Sequence, residues 1–166
     1  ELTPADRHRL GRLGVRFGLE MVYVSALVKP RAVRLRALLW AVGRGVPCRK
    51  PPAPGLASVA AEDDQERNFY EACGYRVMGG RAIRVDILHR LAIRLRRAAG
   101  KGPFAMTPEM INPAGLTAAD AVAVFAELGY GPEGSGDDRR FVRCRRPRPT
   151  PDDGRLARQR HGVAPG

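Results

Sequence analysis

Residues 75–100 read YRVMGGRAIRVDILHRLAIRLRRAAG, and this stretch decides the architecture. Tyr75–Met78 and Ala82–Val85 flank Gly79-Gly80, the spacing of a tight two-residue β-hairpin. Asp86 then stands as the N-cap of a helix. Leu88, Leu91 and Leu95 recur on one side of it, Arg90, Arg94 and Arg97 on another, and Gly100 stops it. A hairpin feeding a long amphipathic helix makes the chain α+β.

Upstream, Asp63 or Asp64 caps a brief helix through Phe69, Tyr70 and Ala72 that closes at Gly74. Before it, residues 46–61 (VPCRKPPAPGLASVAA) hold four prolines and almost no periodicity, so they read as a linker. Thr3-Pro4 starts a first helix expected over residues 4–17, and Met21–Val28 is expected as a short buried strand. Pro30 opens a second helix, with Val33, Leu35, Leu38, Leu39 and Val42 as its apolar stripe and Trp40 as its core anchor. Downstream, Thr107-Pro108-Glu109 starts a short helix broken at Asn112-Pro113. Thr117 and Asp120 form a capping box for a helix to Leu128, ended by Gly129. Residues 131–138 read as a turn, and 139–145 as a terminal strand around Phe141 and Val142. The expected fold is therefore mainly α-helical α+β, with two small helical subdomains and a short hairpin. Its parts are a helical segment over 1–45, the linker 46–61, a subdomain over 62–146 and a disordered basic tail over 147–166.

The 166 residues carry 29 Lys plus Arg against 17 Asp plus Glu, a formal charge of +12. Nine basic and two acidic groups fall within residues 139–166, so the tail holds +7 and the body +5. Arg139, Arg140, Arg143, Arg145, Arg146 and Arg148 lie within ten residues, with Phe141 among them. Guanidinium groups so close together can neutralise backbone phosphates, and binding through them weakens with salt. The helix over 117–128 occupies a helix-turn-helix-like position, but its Asp120 and Glu127 would be repelled by phosphates, which assigns it to packing.

Other chemistry is sparse. Cys48, Cys73 and Cys144 are widely spaced, which supports neither a zinc site nor a disulfide framework and fits a reducing cytoplasm. His8, His89 and His161 lack metal-ligand spacing, and His89 reads as a half-exposed helix residue. No phosphate loop, dinucleotide fingerprint or nucleophile elbow occurs, so no catalytic, cofactor-binding or metal-binding residue is assigned. No apolar run is long enough to span a membrane. Asn68–Tyr75 (NFYEACGY) is similar to a stretch near the end of acyl-CoA N-acetyltransferases, although no glycine-rich cofactor loop precedes it.

A longer resemblance rests on three ordered blocks within residues 11–130. The first runs from Leu13–Gly18 through Ala26–Pro30 to Arg34–Trp40. The second is Phe69–Val77 with Arg81–Asp86 and Leu88–Ala92, and the third is Met106–Ile111. In order and spacing they resemble a region downstream of the motor core in proteobacterial superfamily-two DEAD/DEAH-box helicases, relatives of the mitochondrial RNA-degradation helicase. His89 departs from that pattern, where an acidic residue is usual, and so does Asn112–Gly115. The resemblance implies an accessory C-terminal region that packs on the helicase motor core in the same chain and contacts RNA or DNA backbone. It places ATP and Mg, and hence hydrolysis, in the parent protein rather than in these residues. The alternatives are a free-standing interaction or RNA-binding module and, third, an acetyltransferase-like domain.

Overall fold

The computed structural model describes residues 2–61, 67–134 and 139–144. In chain order the elements are α1 (Pro4–Arg12), β1 (Val15–Phe17), β2 (Val22–Val24), a 3-10 turn (Ser25–Val28) and α2 (Pro30–Arg44). Then come β3 (Ser58–Ala60), α3 (Arg67–Ala72), β4 (Tyr75–Met78), β5 (Arg81–Arg84) and α4 (Val85–Ala99). The last are β6 (Phe104–Ala105), α5 (Pro108–Ile111), a 3-10 turn (Asn112–Ala114), α6 (Ala118–Glu127), β7 (Tyr130–Glu133) and β8 (Arg140–Arg143). The fold is α+β, with small antiparallel sheets.

One unit recurs three times: a helix, a glycine at positive φ, then a hairpin. Gly14, Gly74 and Gly129 have φ of 85°, 83° and 87°. Only glycine adopts that conformation without strain, and it turns the chain from helix into strand in one step. Each glycine carbonyl then accepts a hydrogen bond from the residue that follows the hairpin: Ser25 at 3.0 Å, Val85 at 3.1 Å and Cys144 at 2.9 Å. The ladders begin alike, Val15 opposite Val24, Tyr75 opposite Arg84, Tyr130 opposite Arg143. In the second and third units a strand from upstream joins the second hairpin strand, β3 on β5 and β6 on β8. The first hairpin has two strands.

The middle sheet has a core on each side. Val77 and Ala82, opposite one another, face a cluster with Val33, Ala37, Phe69 and Cys73. Met78 and Ile83, on the alternate face, join a larger cluster with Leu88, Leu95, Phe125 and Phe141. The cluster with Val33 and Ala37 thus reaches back across residues 46–61 to α2.

Several expectations are corrected. The first helix stops at Arg12 because Gly14 cannot continue it, and Val15–Phe17 pairs with Val22–Val24 instead. The strand expected over 21–28 shortens to β2, and Val22 is exposed. In α2 the side that packs is Val33, Ala37 and Ala41, whereas Leu35, Leu38, Leu39 and Val42 of the expected stripe are exposed. Small side chains let the helix backbone approach its neighbours closely, so the larger ones point outward. Trp40 is half-buried, edge-on to Phe69 at 5.3 Å. Asp86 lies inside the first turn of α4 rather than at its cap, because Arg84 occupies the N-cap. Gly131–Glu133 belongs to strand β7, and Ser58–Ala60 of the Pro-rich stretch forms strand β3. The hairpin around Gly79-Gly80, the leucine face of α4, the capping box of Thr117 and the strand around Phe141 stand as expected. Asp63, Asp64 and the tail over 147–166 lie outside the described residues.

Candidate nucleic-acid interface

Of the arginine cluster, Arg139, Arg140 and Arg143 are described and exposed; Arg145, Arg146 and Arg148 lie outside the described residues. Phe141, fully buried, pins β8 to the core and thereby fixes where its neighbours point. Arg140 stands opposite Glu133 at one end of the strand pair, and Arg143 opposite Tyr130 at the other. Three residue steps along the strand separate them by about 10 Å. The structure therefore divides the described arginines between the two ends of one central strand.

At the Arg143 end, tertiary packing adds a second guanidinium that the sequence reading did not single out. Arg96, from the last turn of α4, meets Arg143 at a cavity of about 550 Å³ that Tyr130, Glu20, Leu19 and Cys144 also line. Burial pushes the Tyr130 phenol up, Arg143 and Arg96 draw it down and Glu20 raises it, with a net rise. At neutral pH the hydroxyl therefore stays a proton donor. Two cations and a phenol O–H suit an anion such as a phosphate, and Glu20 sets a competing negative charge beside them. Arg96 lies 47 positions before Arg143 in sequence, so no local spacing could have joined them.

Arg84 at the end of β5 and Arg90 and Arg94 of α4 are engaged within the fold. Arg84 Nε and a second guanidinium nitrogen donate to the Asp86 carboxylate at 2.6 and 3.1 Å, and Arg90 donates to it at 3.0 Å. Arg94 donates to the Glu109 carbonyl at 2.7 Å. Burial pushes the Asp86 carboxyl up, but the Arg84 hydrogen bonds and charge, with Arg90, outweigh it and hold the group below its ordinary value. A carboxyl depressed in the folded state contributes stability that is complete above its unfolded pKa and lost as pH falls through the folded one. The wild-type protein is thus expected to lose stability between about pH 5 and about pH 2 more steeply than Asp86→Asn. Denaturant melts of both across that range check it; parallel curves would show that the Arg84–Asp86–Arg90 cluster has no such role.

Helix α6, whose place in the sequence is helix-turn-helix-like, has its polar groups committed to the fold. Asp120 closes the capping box with Thr117 and lies 3.9 Å from Arg81. Glu127 accepts a hydrogen bond from the Gly79 N–H at 2.7 Å. The tip of the β4–β5 hairpin is so close that a Cβ on Gly79 would stand 2.7 Å from the Val124 nitrogen. This matches the packing role expected from its two carboxylates.

Among the described residues, no three His, Cys, Asp or Glu side chains gather as metal ligands, and the cysteines are free. His89 is half-buried, edge-on to the Tyr23 ring at 5.8 Å, with the first hairpin turn at Gly18 pressed against it. No helix among the described residues is long and apolar enough to cross a membrane. Comparison of the chain with models of known families, with curated proteins and with solved structures found no match.

Proposed function

We propose that this chain is a non-catalytic, backbone-contacting region that serves an ATP-dependent superfamily-two helicase, packing on its motor core and holding a nucleic-acid strand. The observation that carries the strand-binding half is the central strand β8, where exposed Arg139 and Arg140 stand at one end and Arg143 with Arg96 at the other. Cations spaced along a strand suit successive phosphates and read no base. With α6 committed to packing, the helix whose place in the sequence is helix-turn-helix-like does not enter a major groove, which favours backbone contact over sequence reading.

The packing half is supported by α2. Leu35, Leu38, Leu39 and Val42 lie outward on one side of a single helix, an apolar surface of the kind that marks an interaction site. In this reading ATP and Mg belong to the motor, and the terminal arginines extend the phosphate contacts begun on β8. The order of the three sequence blocks supplies the helicase assignment.

Replacing Arg139, Arg140 and Arg143 together by Ala tests the strand contact. All three are exposed, so folding is expected to survive. Each lost contact to a single strand removes about 0.7 from the slope of log affinity against log salt, so the triple variant should flatten it by about 2. Fluorescence anisotropy with a labelled oligonucleotide over a salt series measures this, and an unchanged slope would remove β8 from the interface.

A further inference from the structure

The Pro-rich stretch does more than connect. Residues 48–55 run beside α2 and leave a cleft of about 530 Å³ between the two. That size falls within the roughly 300–1,000 Å³ of small-molecule sites. Pro30, Val33 and Ala37 line it from α2, and Pro51, Pro52 and Pro54 line it from the facing side. Prolines have fixed φ and no N–H, so this side is stiff, apolar and already shaped before a ligand arrives. The Tyr75 hydroxyl donates to the Leu56 carbonyl at 3.2 Å and ties the stretch to the sheet.

Among the described residues, the charge lining the cleft has one sign. Arg34, Arg49, Lys50 and Arg84 line it, and among the described residues no carboxylate does. Arg84 is matched by Asp86 and Arg49 stands over the Phe69 ring at 5.5 Å, which leaves exposed Arg34 and Lys50 to meet an anion. The complementary ligand has a flat apolar body for the space between the prolines and α2, and an anionic end for Arg34 and Lys50. We propose that this cleft binds a nucleoside phosphate, free or as the end of a strand. The base lies between the proline side and α2, and the phosphate lies on Arg34 and Lys50. The cleft opens on the side of the middle sheet away from the Arg96–Arg143 cavity, so the two sites are distinct.

The chain carries its own reporters. Cys48 is exposed and lines the cleft, while Cys144 is exposed and lines the other cavity. Cys73 is buried, its thiol pushed up to about 11, so an alkylating reagent near neutral pH reads the other two. The experiment follows alkylation of each cysteine of the intact protein by iodoacetamide, using peptide mass analysis. The probes are AMP, a 5′-phosphorylated single-stranded oligonucleotide, inorganic phosphate and laurate. AMP at four times its Kd should slow Cys48 about fivefold, since about one site in five is then empty, and leave Cys144 unchanged.

Protection by AMP at lower concentration than the oligonucleotide identifies a free nucleotide, and the reverse order identifies a strand end. Either order supports the site. Arg34→Glu with Lys50→Glu should abolish the protection without moving the melting temperature. Lys50→Glu alone, on the irregular segment, repeats that test should the pair prove unstable. The proposal is overturned if neither nucleotide probe protects Cys48, if AMP protects Cys144 instead, or if laurate or inorganic phosphate protects Cys48 as well as AMP. Protection that survives both charge reversals overturns it too.

Discussion

Phe141→Ala lowers the unfolding free energy by about 3–5 kcal/mol. Phe141 is fully buried and lies on the central strand of its sheet, opposite Phe104 of β6 on one side and Pro132 of β7 on the other. Its ring stands edge-on to Phe125 at 5.1 Å and tilted to Phe104 at 6.0 Å. Truncation removes the apolar area and leaves a void that strands held on both sides cannot close. Total stabilities of about 5–15 kcal/mol make that loss a large fraction of the whole. A urea titration measures it; a cost below about 1.5 kcal/mol would mean that the site collapses onto the gap.

The second large effect separates two adjacent glycines of one turn. Gly79 and Gly80 have φ of 56° and 74°, so Ala at either position carries the left-handed penalty of about 1–2 kcal/mol. Only Gly79 is also pressed against α6, where a Cβ would stand 2.7 Å from the Val124 nitrogen and 2.9 Å from the Ala123 carbonyl carbon. Those are backbone atoms of a helix, which cannot swing aside as a side chain could. Relieving the overlap by shifting hairpin or helix costs about 1–3 kcal/mol more. Gly79→Ala is thus expected to lose about 2–4 kcal/mol, and Gly80→Ala, with nothing within 4 Å, about 1–2. Equal losses in thermal or urea melts would show that the hairpin tip does not bear on α6.

Elements whose cause is local were legible in the sequence. The Gly79-Gly80 turn, the leucine face of α4 and the Thr117–Asp120 box depend on neighbours within one turn of helix or hairpin. Phe141 as the anchor of a terminal strand was equally readable. The strands β1, β3, β6 and β7 were not. Each is two to four residues long. Strands β3 and β6 form because a strand distant in sequence supplies their hydrogen bonds. Strands β1 and β7 form because a positive-φ glycine turns the chain out of the preceding helix into a hairpin. The recurring helix–glycine–hairpin unit escaped detection for a related reason. Its three copies share a backbone path set by Gly14, Gly74 and Gly129, while their side chains differ.

The candidate site divides along the same line. The sequence alone determined that the positive charge gathers toward the C-terminus around Phe141, because charge density is a property of composition. Tertiary structure decided which cations act together. Strand pairing carries Arg140 and Arg143 to opposite ends of one central strand, and packing of α4 on the sheet brings Arg96 to Arg143. The same holds for α2, whose leucines periodicity assigns to a core. A helix with two apolar sides can bury either, and the close approach allowed by Val33, Ala37 and Ala41 selects the side with the smaller residues. That choice belongs to the fit between elements, which no single stretch of sequence contains.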